Sequence, residues 1–463
     1  MAQARPPHLI ASTIGGMMAL ATALGIGRFV YTPILPGMLE ALLWTTTDAG
    51  VVASANFVGY FAGAFLSSRS FMVGHARTWL LTSLAISAAS TAAMAVPSDL
   101  TAFVVLRLMG GMASAIIIVC ASTLVLERLS SSGATALSGV HFAGVGFGIL
   151  ISAALVSLLA SFGLEWRAQW IGSGVLATIT GGVAAALIPS TKDNSGSTAT
   201  GKQGGVPGRL IALIGAHGLF GFGYVITSTF LVNIVRHASA VADIEPWVWA
   251  LVGLAAIPSV TVWWWLGKHI GTLNAYAVGC LIEAIGVCAS VEWTTVSGIC
   301  VAAVLLGGTF MGITALGFMG AQKLSIDRPQ RAMGQITSSF ALGQMIGPTL
   351  AGYLDERLGS FRLPTLLAVG ALVLAAMFAL LAELSPRLFA NCCRHSKERH
   401  PLRYHAGPEQ SPPNDDHEAR GVTAGATEPR NRNPTGTTQA RGKFRKRGPT
   451  RHRRQATPPS LRS

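Results

Sequence analysis

Charge is what this sequence lacks most. Asp, Glu, Lys and Arg together make up 12% of the 463 residues, while hydrophobic residues make up 51%. A water-soluble domain carries about 25% charged residues, and an apolar surplus this large cannot be hidden in one soluble core. Lipid must cover much of it. Cysteine is sparse as well, with six residues. Cys120, Cys280, Cys288 and Cys300 fall in apolar stretches, and Cys392 and Cys393 lie just past the last of them. None has metal-ligand spacing, so neither a disulfide framework nor a metal site is expected. A Gly-x-x-x-x-Gly-Lys-Ser/Thr loop is missing, which argues against ATP hydrolysis in this chain. Paired catalytic acids and nucleophile–base constellations are missing too, which argues against an intramembrane enzyme. No cofactor is implied. The first apolar run is followed by no small-residue cleavage site and reads as a retained span.

What is present is apolar length. Mean hydropathy is +0.50, and glycine is abundant at 53 residues, as close helix–helix contact in membranes requires. A bilayer core of roughly 30 Å needs about 20 apolar helical residues. Twelve runs qualify, near 9–35, 48–68, 78–97, 99–126, 135–162, 168–188, 210–235, 246–267, 273–292, 296–322, 331–357 and 363–385. Twelve spans put both termini on one side. With that side inside, the inner loops before the tail hold eleven Arg and Lys, from Arg5 and Arg69 to Arg331, and the outer loops hold four. The positive-inside rule then places both termini in the cytoplasm, and the expected location is a bacterial inner membrane.

The stretch 190–209 is rich in Ser, Thr, Gly and Lys and reads as a cytoplasmic linker. It divides an N-terminal six-helix bundle, 1–189, from a C-terminal one, 210–386. Short matches fall at corresponding spans, as duplicated halves require. Gly25-Ile-Gly27-Arg28 parallels Gly221-Phe-Gly223-Tyr224, Gly110-Gly111 parallels Gly307-Gly308, and Phe142-Ala143 parallels Phe340-Ala341. The remainder, 387–463, holds 17 of the 34 basic residues, lacks apolar periodicity and reads as a disordered basic cytoplasmic tail. Attraction to anionic lipid is the plain reading of that tail, and nucleic acid is not expected as a partner.

Several segments resemble the major facilitator superfamily, and within it the YbfB/YjiJ-type group. They are Leu24-Gly-Ile-Gly-Arg-Phe-Val-Tyr-Thr-Pro33, Ser54-Ala-Asn-Phe-Val-Gly-Tyr60, His141-Phe-Ala-Gly-Val-Gly146, Gly218-Leu-Phe-Gly-Phe-Gly-Tyr-Val-Ile226, Gly307-Gly-Thr-Phe-Met-Gly-Ile-Thr314 and Phe340-Ala-Leu-Gly-Gln-Met-Ile-Gly-Pro348. Arg107-Leu-Met-Gly-Gly-Met-Ala113 resembles the superfamily's fourth-span signature. The resemblance covers about 9–385. It implies an all-α membrane protein of twelve helices in two bundles that rock about a central site. One departure stands out. The superfamily usually places an aspartate in the loop after the second span, and Gly63-Ala-Phe-Leu-Ser-Ser-Arg69 has none.

Charge inside a bilayer costs about 2.5–3.5 kcal/mol on insertion scales, so each such residue is a candidate. Arg28 and Arg107 lie in spans 1 and 4, which line the cavity in the implied fold. Two guanidinium groups on one cavity suit an anion; alternatively, each binds helix carbonyls. For Arg107 a structural or coupling role is the alternative to substrate contact. His141 in span 5 and Glu283 in span 9 are candidate proton carriers. Tyr31, Asn56, Tyr224, Thr309, Thr314 and Gln344 are polar groups positioned to orient a small-molecule substrate or to bond helices together. Gly144, Gly148, Gly347 and Pro348 are candidates for a hinge and a close interface between halves. Trp263, Trp264 and Trp265 read as an interfacial belt.

The expectation is therefore a secondary transporter of a small solute, with an organic anion the candidate class, coupled to protons and acting as a monomer. Efflux of amphipathic drugs is the rival within that class. A membrane sensor or scaffold signalling through the basic tail is the rival outside it.

Overall fold

The structure, a computed structural model, describes residues 7–67, 75–189, 208–238, 240–325 and 329–398. Arg5, Arg69, most of the expected linker and the tail beyond 398 lie outside the described residues.

The described chain is helical, with α1 Pro7–Leu20, α2 Tyr31–Leu42, α3 Thr46–Ser67, α4 Ala76–Ala93, α5 Leu100–Ser131, α6 Ser138–Ser161 and α7 Trp166–Leu187 in the N-terminal set. The C-terminal set is α8 Gly208–His237, α9 Glu245–Ile270, α10 Thr272–Glu292, α11 Val296–Leu324, α12 Pro329–Leu358 and α13 Arg362–Glu398. The backbone of α13 stays helical to Glu398, into the segment expected to begin the tail at 387.

Among the described residues, ten segments are long and apolar enough to cross a membrane, with His8–Leu42 counted as one. The twelve expected spans are thus matched at ten positions. The other two, α4 and α12, are helical but diluted by polar side chains: Thr78, Thr82, Ser83, Ser87 and Ser90 in α4, and Gln335, Thr337, Ser338, Ser339 and Gln344 in α12. This is a multi-pass membrane protein.

Local chemistry sets the helix ends. Asp99 caps α5, its carboxylate accepting from the Ala102 N–H at 2.9 Å, and Thr295 caps α11 by accepting from the Gly298 N–H at 3.2 Å. Both side chains satisfy amides that have no partner within the helix.

The packing repeats along the chain. In the N-terminal set α3 packs on α5, α4 packs on α5 and α7, and α1 packs on α6. In the C-terminal set α9 packs on α11, α10 on α11 and α13, and α8 on α12. The two sets meet through α6 against α9 and α3 against α12. Small residues make these contacts possible. A Cβ on Gly59 would collide with the Leu108 carbonyl, and one on Gly111 with the Asn56 carbonyl, so α3 and α5 touch backbone to backbone. That contact sets Asn56 and Arg107 side by side.

Of the residues expected at the interface between halves, Pro348 lies there and the three glycines do not. Gly144 and Gly148 in α6 face Met17, Ala21 and Gly25, and Gly347 in α12 faces Phe222 and Val225. All three therefore pack inside their own set. The contact between sets is made by Gly146 against Ala256 and Ile257, Gly253 against Leu150, and Gly50 against Pro348. Trp263 is likewise no belt residue. It is buried and donates from Nε1 to the Gly308 carbonyl at 2.7 Å, while Trp264 and Trp265 stay exposed.

Candidate substrate-binding site

The first span is broken where Arg28 sits. After α1 the chain makes a π-helical turn over Ala21–Ile26 and irregular turns over 27–30 before α2 begins. Gly27 N–H reaches back five residues to the Thr22 carbonyl at 2.9 Å, and Phe29 N–H to Leu24 at 3.0 Å. The following bonds shorten, with Thr32 N–H donating to Phe29 at 3.3 Å. Pro33 has no N–H to continue the ladder, so the irregularity cannot close on itself. π-bulges of this kind are frequent at functional sites.

The break frees a row of carbonyls, and other helices take them. Arg107 Nη1 donates to Gly27 at 3.0 Å and Nη2 to Arg28 at 3.1 Å. Trp249 Nε1 donates to Phe29 at 3.1 Å, and Ser152 Oγ to Gly25 at 3.4 Å. Arg107 is itself held against the Tyr31 ring, 4.9 Å from guanidinium carbon to centroid. The Tyr31 hydroxyl donates to the Ala49 carbonyl at 2.9 Å, and Asn56 Nδ2 to the Arg107 carbonyl at 3.1 Å. Tyr31, Asn56 and Arg107 thus form one brace around the broken helix.

Arg28 is different. Its side chain is buried at 6% exposure, with no carboxylate paired to it among the described residues. Its charge lies over aromatic faces, 4.1 Å from the Tyr60 centroid, 5.1 Å from Phe57 and 6.0 Å from Phe29. The Tyr224 hydroxyl also faces it. Two of its nitrogens, Nε and Nη2, have no protein hydrogen-bond acceptor. Those two N–H groups point in parallel from one edge of the guanidinium, the fork that chelates a carboxylate. Ring contacts offset only part of the cost of burying an unpaired cation, which is several kcal/mol.

Tyr224 is the residue that parallels Arg28 in the second set, so the two counterparts meet. Gln344 donates from Nε2 to the Tyr224 hydroxyl, leaving Gln344 Oε1 without a partner. Around them rings lie nearly parallel: Tyr224 and Phe340 at 5.8 Å and 7°, Tyr224 and Phe310 at 5.8 Å and 13°, and Phe220 and Phe340 at 5.6 Å and 15°. Phe29 meets Phe310 edge-on at 5.7 Å, joining the two sets. Thr309 and Thr314 turn back to their own helix carbonyls, Leu305 at 2.6 Å and Phe310 at 2.8 Å.

The two proton-carrier candidates fall in different places. Glu283 is fully buried, with neither carboxyl oxygen hydrogen-bonded to protein, and Thr309, Cys280 and Tyr276 lie beside it. It is within electrostatic reach of Tyr224. His141 is buried within the N-terminal set, where it pairs with the Ser122 hydroxyl at 3.1 Å and packs on Gly16. Sequence reasoning passed over His217. It bonds the Tyr276 hydroxyl at 3.1 Å and stacks on Phe340 at 4.8 Å. Its place four residues before the Gly221-Phe-Gly223 match, on the same face of α8, was the available signal.

A cavity of about 620 Å³ lies away from Arg28, at the end of the molecule where α2 and α8 finish, and is lined by Glu40, Trp44, Asn233, His237, Asp355 and Arg362 among others. Polar bonds tie the two sets together at that end. Arg236 bridges Glu40 at 3.1 Å and Glu245 at 2.8 Å. Thr46 Oγ1 donates to the Gly352 carbonyl at 3.0 Å, and Thr47 bonds Glu356. Part-exposed ion pairs contribute about 1 kcal/mol or less. Arg236→Ala is therefore expected to open this end modestly. Labelling of a cysteine introduced at Asn233 by a membrane-impermeant maleimide should quicken about two- to fivefold. An unchanged rate would show that the bridge carries none of the closure.

The family described as uncharacterised MFS-type transporter YbfB matches residues 20–380, which includes the broken helix, its brace and the ring stack. The chain belongs to that family. Among solved structures, the nucleoside transporter NupG in a mutant form is similar with a TM-score of 0.63 at 14% identity, covering 81% of this chain and 99% of that one. A second NupG structure gives 0.59 at 13% identity with the same coverage. At such identity the likeness establishes the fold. No individually curated protein matches the chain.

Proposed function

We propose that this protein is a proton-coupled secondary transporter of a small organic anion. Its twelve spans form two six-helix bundles that alternate access to a site anchored on Arg28. The observation that carries the reading is the free guanidinium fork of Arg28, buried between the two sets with no carboxylate paired to it among the described residues. A passing carboxylate would supply the missing partner, and its departure would restore the unfavourable state, as a carrier requires. The repeated packing of the two sets supports the two-bundle reading. The bias of basic residues supports cytoplasmic termini. On this reading the protein acts as a monomer, with lipid and solute as partners and no enzymatic step. The drug-efflux alternative draws on the aromatic stack, but a cationic amphipath would meet Arg28 with like charge.

Uptake into proteoliposomes under an imposed pH gradient, measured over protein-free vesicles, tests the reading. Gradient-driven accumulation of a carboxylate supports it; accumulation of uridine with no carboxylate overturns it. Glu283 serves as the proton carrier, because its buried carboxyl lies among Thr309, Cys280 and Tyr276, within electrostatic reach of Tyr224, and no cation among the described residues pairs with it. Glu283→Gln is expected to cut gradient-driven accumulation at least tenfold while leaving exchange of labelled for unlabelled solute intact. Equal loss of both activities would remove Glu283 from coupling.

A further inference from the structure

We propose that the solute held on Arg28 is a planar aromatic monocarboxylate. The inference rests on the anion reading above and adds the shape and charge of the anion. Three observations carry it.

First, the site offers one free fork. Arg107, the other buried arginine, has committed both terminal nitrogens to the carbonyls of Gly27 and Arg28. A second carboxylate on the solute would find no matching donor pair, so a dianion would leave one charge buried and unpaired.

Second, the surroundings of the fork are flat and apolar. Phe57 and Tyr60 cover the guanidinium. Tyr224 faces it from the other set and forms one member of a column of near-parallel rings with Phe220, Phe310 and Phe340. Those rings come from three different helices, α8, α11 and α12, with Phe29 of the first span edge-on to Phe310. The column lies within the C-terminal set, so movement of the sets away from one another would uncover it where Phe29 now abuts Phe310, and a flat ring can stack on an aromatic face exposed there.

Third, unengaged neutral acceptors on the residues around the fork are few: Gln344 Oε1, whose amide bonds Tyr224, and Asn56 Oδ1 in the brace, with the Glu283 carboxyl reserved for the proton. Tyr31, Thr309 and Thr314 are already spent on backbone carbonyls. A polyhydroxylated solute such as a sugar would lose its water without recovering equivalent hydrogen bonds. An aromatic acid needs only the fork, the rings and at most one acceptor for a ring substituent.

The test is calorimetric titration of the full chain in lipid nanodiscs with benzoate, cyclohexanecarboxylate, acetate, phthalate and uridine. Benzoate is expected to bind five- to tenfold more tightly than cyclohexanecarboxylate, which matches it in charge and nearly in size but is not flat. Acetate and phthalate should be weaker than either. Arg28→Gln should lose benzoate by at least a hundredfold. Phe340→Leu should level benzoate with cyclohexanecarboxylate while retaining both. If benzoate and cyclohexanecarboxylate bind equally and depend on Arg28, the aromatic assignment falls and the anion site stands. If phthalate binds more tightly than benzoate, the single-charge assignment falls. If no carboxylate binds, or binding ignores Arg28, or uridine alone binds, both readings fall. The comparison among ligands on the unsubstituted protein decides the question even where a variant fails to fold.

Discussion

Arg28→Gln is expected to abolish transport while leaving the protein as stable as before, or more so. Each charge-assisted hydrogen bond to a carboxylate is worth about 1.5–3 kcal/mol. Losing the two bonds of the fork therefore costs about 3–6 kcal/mol of solute binding, a hundredfold to ten-thousandfold. Arg28→Lys keeps the charge but not the parallel donors, and should lose about tenfold or more. The unliganded protein responds in the opposite direction. Arg28 is a buried cation with two donors unsatisfied, and because burying an uncompensated ion costs several kcal/mol, an uncharged side chain of similar volume should be neutral or stabilising there. Thermal unfolding of detergent-purified Arg28→Met, alongside solute binding by the same protein, checks both signs. A variant that unfolds earlier and binds normally would assign Arg28 to the scaffold and leave the solute elsewhere.

Much of the scaffold was legible. Runs of apolar residues located the helices, because hydrocarbon forces every backbone amide into a helix and leaves the side chains to report the span. The same logic weakened at α4 and α12, where part of the polar content is buried against protein, as at Ser83, Ser87 and Gln344, and part is exposed or half-buried but bonded back to its own helix, as at Thr82 and Ser338. The site was legible only in part. Arg28 and Arg107 look equivalent as letters, since both are arginines inside spans. What separates them is which nitrogens are engaged, and that depends on the carbonyls released by a break in the first helix. Gly25, Gly27 and Pro33 were visible as motif residues, yet the π turn they permit depends on α6, whose Gly148 lies against Gly25. The glycines show the same limit. Composition announces close packing, but only the three-dimensional register reveals that Gly144 and Gly148 face the first span whereas Gly146 faces α9.

Arg107 should fail in the contrary way, through the fold first and the solute second. Its guanidinium satisfies two carbonyls that the broken helix cannot satisfy itself, and leaving a buried acceptor unpaired costs about 1–3 kcal/mol. Arg107→Ala removes both bonds and the cation–ring contact with Tyr31, so a loss of about 3–6 kcal/mol is expected, a large fraction of the stability of most proteins. Arg107→Lys can reach one carbonyl but not span two, and should fall between. The consequence for function follows from geometry. With Gly27 and Arg28 carbonyls released, the turn over 27–30 is free to rewind and the fork loses its aim, so solute affinity should decline in step with stability across Arg107→Lys and Arg107→Ala. A direct ligand would behave otherwise, losing affinity at Arg107→Lys with little change in unfolding temperature. Unfolding temperature plotted against benzoate affinity for the two variants separates these cases. A vertical fall in affinity at constant stability would move Arg107 from the brace into the binding site and with it admit a second negative charge on the solute.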